Sequence, residues 1–168
     1  PNALTYLIET MPYQITSFLG ANDFRKISSI NKRIERKIRE NPKIQHTRKQ
    51  YALKQLDKFV VADDCDTSND NDIRVLHLTV LGTHDMSEFM PYVLEFQNLQ
   101  ELIIKEQPNN EKSSIIGSIP DDIGFLHDLR TFVIKGHMVS TIPKSMMYMT
   151  NLRHITLWDN VILGQIPD

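Results

Sequence analysis

The chain has one cysteine, Cys65, and one tryptophan, Trp158, in 168 residues. A lone thiol excludes an internal disulfide framework and fits a reducing compartment. No stretch approaches the ~18 consecutive apolar residues of a membrane-spanning helix, no signal peptide opens the sequence, and no Asn-x-Ser/Thr acceptor occurs. The expected location is intracellular. Charge is not lopsided either: 19 Lys and Arg against 21 Asp and Glu leave a formal net charge of −2, which by itself names no partner. Catalytic signatures are missing. There is no G-x-S-x-G elbow, P-loop or dinucleotide fingerprint, and His46, His77, His84, His127, His137 and His154 fall in no metal-binding spacing. No enzymatic activity, metal, cofactor or small-molecule substrate is expected.

What is present is ordinary for a globular chain, 40% hydrophobic and 24% charged residues, but it is arranged periodically. Laying Leu129 on Leu152 brings Phe132 onto Ile155, Ile134 onto Leu157, Val139 onto Ile162, Ile142 onto Ile166 and Pro143 onto Pro167. The period is roughly 23 to 24 residues, in the range where each unit must stack on a neighbour to bury its apolar face. Upstream, Leu99, Leu102, Ile104, Gly117, Ile119 and Pro120 form another copy, with an insertion across Glu106 to Ile116; Ile73, Leu76 and Leu78 form a weaker one ending in Met90-Pro91. These residues resemble leucine-rich repeats of the plant form, most closely at Leu152, Ile155, Leu157, Asn160, Ile162, Gly164, Ile166 and Pro167. Leu81, Gln107 and His137 stand where that form has Asn. The resemblance implies a short parallel strand in each copy, with Gly117 and Gly164 at sharp turns and a Pro opening the next segment.

Alternation along each strand assigns the side chains of an open, concave face. They are Val75, His77 and Thr79; Glu101, Ile103 and Lys105; Thr131, Val133 and Lys135; and His154, Thr156 and Trp158. An apolar strip of Ile103 and Val133, flanked by Lys105, Lys135 and Trp158, suits a protein partner with an acidic rim. Burial of the strip by a further element of the protein is the alternative.

The first 62 residues follow a different period. Leu4, Leu7, Ile8, Met11, Ile15, Phe18 and Leu19, then Phe24, Ile27, Ile30, Ile34 and Ile38, recur at helical spacing. Asn41-Pro42 is read as the end of the second helix, and a third can run from about Ile44 to Val61. The stretch Leu19, Asp23, Phe24, Ile27, Ser28, Ser29, Ile30, Asn31, Lys32, Arg33, Asn41, Pro42 and Ile44 is similar to the latter half of an F-box. The opening Leu-Pro of that family has no clean counterpart here, and its later tryptophan is absent. The resemblance implies docking on the Skp-type adaptor of a cullin-RING ubiquitin ligase, with Leu7, Met11, Pro12, Ile15, Leu19, Phe24 and Ile27 filling an adaptor groove. The same residues could equally form the core of a helical bundle.

Twelve cations between Arg25 and Lys58 face only Glu35, Glu40 and Asp57. Without interleaved aromatics they read as a solvated helix face, and nucleic acid is not the expected partner. The acidic stretch Asp63 to Asp72 lacks the glycine and glutamate of a calcium loop and reads as a linker.

The expected fold class is therefore α+β. A helical F-box-like domain over 1–62, an acidic linker over 63–72 and a leucine-rich-repeat solenoid with a short parallel sheet over 73–168 make up the chain, with about four repeats, the last incomplete. The expected function is non-catalytic protein binding, as an F-box/leucine-rich-repeat substrate receptor of a ubiquitin ligase. The alternative is a scaffold or structural component of a larger viral or pathogen assembly. Opening on Pro1 and closing within a repeat at Asp168, the sequence also suggests a longer protein or a partner covering its last unit.

Overall fold

The computed structural model describes residues 41–65, 72–107, 114–136 and 138–158. The chain divides into two compact units, Pro1–Lys54 and Gln55–Asp168. The described part of the first is helix α1 (Pro42–Leu56), whose last two residues already belong to the second. Asn41-Pro42 begins this helix. The Asn41 Oδ1 accepts from the backbone N–H of Lys43 at 3.0 Å and of Ile44 at 3.3 Å, and Pro42 occupies a first-turn position where its missing N–H has no helical partner to lose.

The helix stops at Leu56, short of the expected Val61. The Lys58 and Phe59 N–H groups turn back to Gln55 and Leu56 carbonyls at 3.2 and 2.9 Å, and Val60–Cys65 becomes strand β1. The remaining elements are β2 (Val75–Val80), β3 (Thr83–Asp85), α2 (Met86–Val93), β4 (Glu101–Glu106), β5 (Ser114–Gly117), a 3₁₀ helix (Asp121–Phe125), β6 (Thr131–Lys135), β7 (Met138–Val139), a second 3₁₀ helix (Lys144–Tyr148) and β8 (His154–Trp158).

Two sheets result. The larger has the order β1-β2-β4-β6-β8 and the smaller β3-β5-β7. β1 runs antiparallel to β2, with a bulge between Ala62 and Asp64, while β2, β4, β6 and β8 are parallel to one another. This overturns the expected α+β class. The described residues form an α/β fold of two α-helices and a mixed five-stranded sheet accompanied by a parallel one, and no solenoid is evident. The physical reason is in the connections. Val60 and Val61 are β-branched and pair with Val80 and Thr79 instead of extending α1, and the residues after β3 form a helix.

That helix, α2, has a signal the repeat pattern obscured. Asp85 accepts from the Ser87 N–H at 2.8 Å and the Ser87 hydroxyl at 2.6 Å, and the Glu88 side chain reaches back to the Asp85 N–H at 3.4 Å, a reciprocal capping box. Pro91, expected to open a segment, lies inside α2. Pro120 and Pro143 do stand in extended backbone (φ −69°, ψ 148° and φ −75°, ψ 149°) directly before the two 3₁₀ helices.

Core residues sit in columns set by the register. Leu76, Leu102 and Phe132 are paired across β2, β4 and β6, as are Leu78, Ile104 and Ile134, and all are at most 1% exposed. Each such burial contributes about 1.5–3 kcal/mol of apolar transfer. Phe89, Met90 and Val93 of α2 and Ile123 of the first 3₁₀ helix are likewise fully buried. Register is reinforced at the strand entrances, where one carbonyl takes two N–H donors. The Arg74 carbonyl accepts from Gln100 and Glu101, that of Gln100 from Arg130 and Thr131, and that of Arg130 from Arg153 and His154. Gly117 turns the chain after β5 with φ +95°, and a Cβ there would stand 2.9 Å from the Asp85 carboxylate.

Candidate functional site

The face of the five-stranded sheet turned away from this core carries three rows of side chains. Pairing places Val75, Glu101, Thr131 and His154 in the first row, His77, Ile103, Val133 and Thr156 in the second, and Thr79, Lys105, Lys135 and Trp158 in the third. Neighbours within a row are one strand apart, about 4.8 Å. The parallel register makes this possible, since residues 23 to 30 positions apart in the chain come to equivalent places on one surface. All the residues expected on an open face are thus brought together on the sheet.

Their exposure is graded. His77, Ile103, Val133 and Thr156 are half-buried, Lys105, Lys135 and His154 are exposed, Trp158 is 59% exposed, and Thr79 is nearly buried. Polar contacts cross between the first and second rows: His77 Nε2 lies 2.6 Å from Glu101 Oε1, bonding adjacent strands β2 and β4 through their side chains. Along the last strand the Thr156 hydroxyl lies 2.9 Å from His154 Nε2. In the third row the Lys135 ammonium stands 4.4 Å from the centroid of the Trp158 ring, a cation-π contact that orients an otherwise exposed indole. The Glu106 carboxylate, next after Lys105 in the chain, packs against Gly136.

Such a surface offers hydrogen-bonding groups, an apolar strip and two cations beside an aromatic plane. Among the described residues no group of three or more His, Cys, Asp and Glu side chains could hold a metal ion. His84, outside this face, donates from Nε2 to the Leu81 carbonyl (2.8 Å) and packs edge-on against Phe59, with ring centroids 5.2 Å apart. It is a structural histidine.

The residues expected to meet a Skp-type adaptor, Leu7, Met11, Pro12, Ile15, Leu19, Phe24 and Ile27, lie outside the described residues, as do Asn160, Ile162, Gly164 and Ile166. A set not singled out from the sequence stands on the two 3₁₀ helices: Phe125, Met147 and Tyr148 are 65%, 55% and 67% exposed. Phe125 and Tyr148 occupy the same position of successive repeats, so aligning the copies for conserved aromatic position within the chain would have revealed them. Gly124 lets these helices approach closely, as a Cβ there would stand 2.9 Å from the Ser145 carbonyl oxygen.

No family model matches the chain. It is similar to Tsukushi from Gallus gallus, with 30% identity over 89 residues that make up 52% of this chain and 23% of that protein. The chain thus spans under a quarter of the length of the curated relative it matches. This distant likeness extends no support to an F-box. No helix among the described residues is long and apolar enough to cross a membrane.

Proposed function

We propose that the chain is a non-catalytic protein-binding protein that holds a partner on the outward face of its five-stranded sheet. The observation that carries this reading is the in-register assembly of His77, Ile103, Val133, Lys105, Lys135 and Trp158 on one surface, apolar at its centre and cationic and aromatic along one side. Sites of this make-up gain affinity from a few desolvated anchors within a polar surround.

In its specific form the proposal is a substrate receptor of a cullin-RING ubiquitin ligase. The F-box-like stretch from Leu19 to Ile44 supports that form: the N-terminal segment would engage the Skp-type adaptor while the sheet face holds the protein to be modified. Co-purification of the full chain with a purified Skp-type adaptor tests it, beside a Leu19→Asp, Phe24→Asp double variant whose folding is checked by circular dichroism. Binding by the parent and its loss in the folded variant is the expected result. A folded parent that leaves the adaptor unbound refutes the ligase role.

A second reading, a component of a larger assembly, is favoured by one observation. Ile155 is 49% exposed although its row partner Phe132 is fully buried, as expected of a strand that a neighbouring protein covers.

A further inference from the structure

The charges on the sheet face are unevenly satisfied. Its only carboxylate within the three rows, Glu101, is engaged by His77 at 2.6 Å. Lys105 and Lys135, by contrast, form no ion pair among the described residues, and both are exposed on adjacent strands of the third row. Glu106, the nearest acid in the chain to Lys105, packs against Gly136 instead. The row ends at Trp158, whose ring already receives the Lys135 ammonium at 4.4 Å. The second row, one residue pair away along the strands, puts Ile103 beside Val133.

From this we infer that the occupant of the sheet face is an acidic, aliphatic peptide segment of a protein partner, its carboxylates on Lys105 and Lys135 and its aliphatic side chains on Ile103, Val133 and the Trp158 ring. The inference rests on the reading of this face as the partner-binding surface. Three features select this chemistry. Two cations that form no ion pair among the described residues, about one strand spacing apart, complement successive carboxylates, whose separation on one side of an extended segment is about 6.8 Å and within the span of flexible lysine stems. The apolar strip between the cations and the His77–Glu101 pair discriminates against a purely anionic ligand, since a phosphate backbone brings nothing to bury on Ile103 and Val133. A basic segment is disfavoured because the one acidic side chain within the rows is already hydrogen-bonded and Lys105 and Lys135 would repel it.

Trp158 is the sole tryptophan of the chain, so its fluorescence reports occupancy directly. The full chain is titrated with a short synthetic peptide rich in Glu and Leu, with the isosteric Gln and Leu peptide, and with a single-stranded oligonucleotide of similar length. A saturable change in Trp158 emission is expected with the acidic peptide, at least about ten-fold weaker binding with the Gln peptide, and a similar loss in a Lys105→Glu, Lys135→Glu variant, both changes being at exposed sites. Raising salt from about 0.1 to about 1 M, which shortens the screening length from about 10 to about 3 Å, should also weaken it. A milder Lys105→Ala, Lys135→Ala variant gives an intermediate loss and guards against misfolding.

If the two peptides bind equally and the lysine changes are silent, the acidic selectivity is refuted while the sheet face stands as the docking surface. If the acidic peptide binds without altering Trp158 emission and without sensitivity to Ile103→Asp, both the inference and the reading of the face are overturned. Absence of binding by either peptide, or equal binding by the oligonucleotide, overturns the inference.

Discussion

Replacing Gly117 by alanine should damage two elements at once. Gly117 has φ +95°, and a Cβ there would stand 2.9 Å from Asp85 Oδ2 and 3.3 Å from its Cγ. The backbone conformation alone costs a non-glycine residue about 1–2 kcal/mol. The Asp85 carboxylate must also move, yet its other oxygen is held at 2.8 Å by the Ser87 N–H and at 2.6 Å by the Ser87 hydroxyl, as the N-cap of α2. Losing such a cap costs about 0.5–2 kcal/mol. Gly117→Ala should therefore destabilise the second unit by about 1.5–4 kcal/mol, measured by urea unfolding followed through Trp158 fluorescence and circular dichroism. Asp85→Ala alone should cost about 1 kcal/mol. In the double variant no carboxylate stands in the way of the new methyl group, leaving mainly the backbone penalty and a coupling of about 1 kcal/mol between the sites. Effects that add to within about 0.5 kcal/mol would show that the methyl group does not disturb the cap, and the link argued between β5 and α2 would fail.

Other consequences follow from the same packing. Phe132, fully buried on the interior strand β6, should cost about 3–5 kcal/mol on change to Ala, whereas the half-exposed Ile155 beside it should cost much less; equal losses in thermal or urea unfolding would mean that β8 is covered as fully as β6. The Ser87 hydroxyl first, and then the Ser87 N–H, hold the Asp85 carboxyl below its usual range. A depressed carboxylate stabilises the folded state fully above the unfolded pKa of about 3.9 and loses that contribution as pH falls through the folded value. Carboxyl NMR titration should accordingly find the Asp85 midpoint below that of an unstructured Asp, and Ser87→Ala should raise it. An unchanged midpoint would disprove the role of the hydroxyl.

How much of this was readable beforehand differs by element, and the difference has a physical basis. The pairs Phe132/Ile155 and Ile134/Leu157, aligned from the repeat alone, are the pairs found across β6 and β8. A two-residue alternation inside a fixed period determines both which face a side chain takes and which residue lies beside it. That is why the three rows of the candidate site could be written down from the chain, although the His77–Glu101 bond could not. It joins side chains of different rows, and alternation specifies rows, not contacts across them. Strand β1 was hidden for another reason. Residues Val60 to Cys65 lie outside the repeat and run from the end of a helical pattern into an acidic stretch, so local composition argues for helix and then linker, and only pairing with Val80, Thr79 and Leu78 makes the segment extended. Helix α2 shows the converse error. Met90-Pro91 was matched to the Ile-Pro of later copies, but Asp85 and Glu88 stand three residues apart before an apolar run, and a capping box specifies a helix start more directly than a resemblance to a turn elsewhere. Local hydrogen-bonding chemistry overrode the repeat there, and the overall architecture changed with it, since a chain whose connections differ in kind from one copy to the next need not share the form of a family whose strands it resembles.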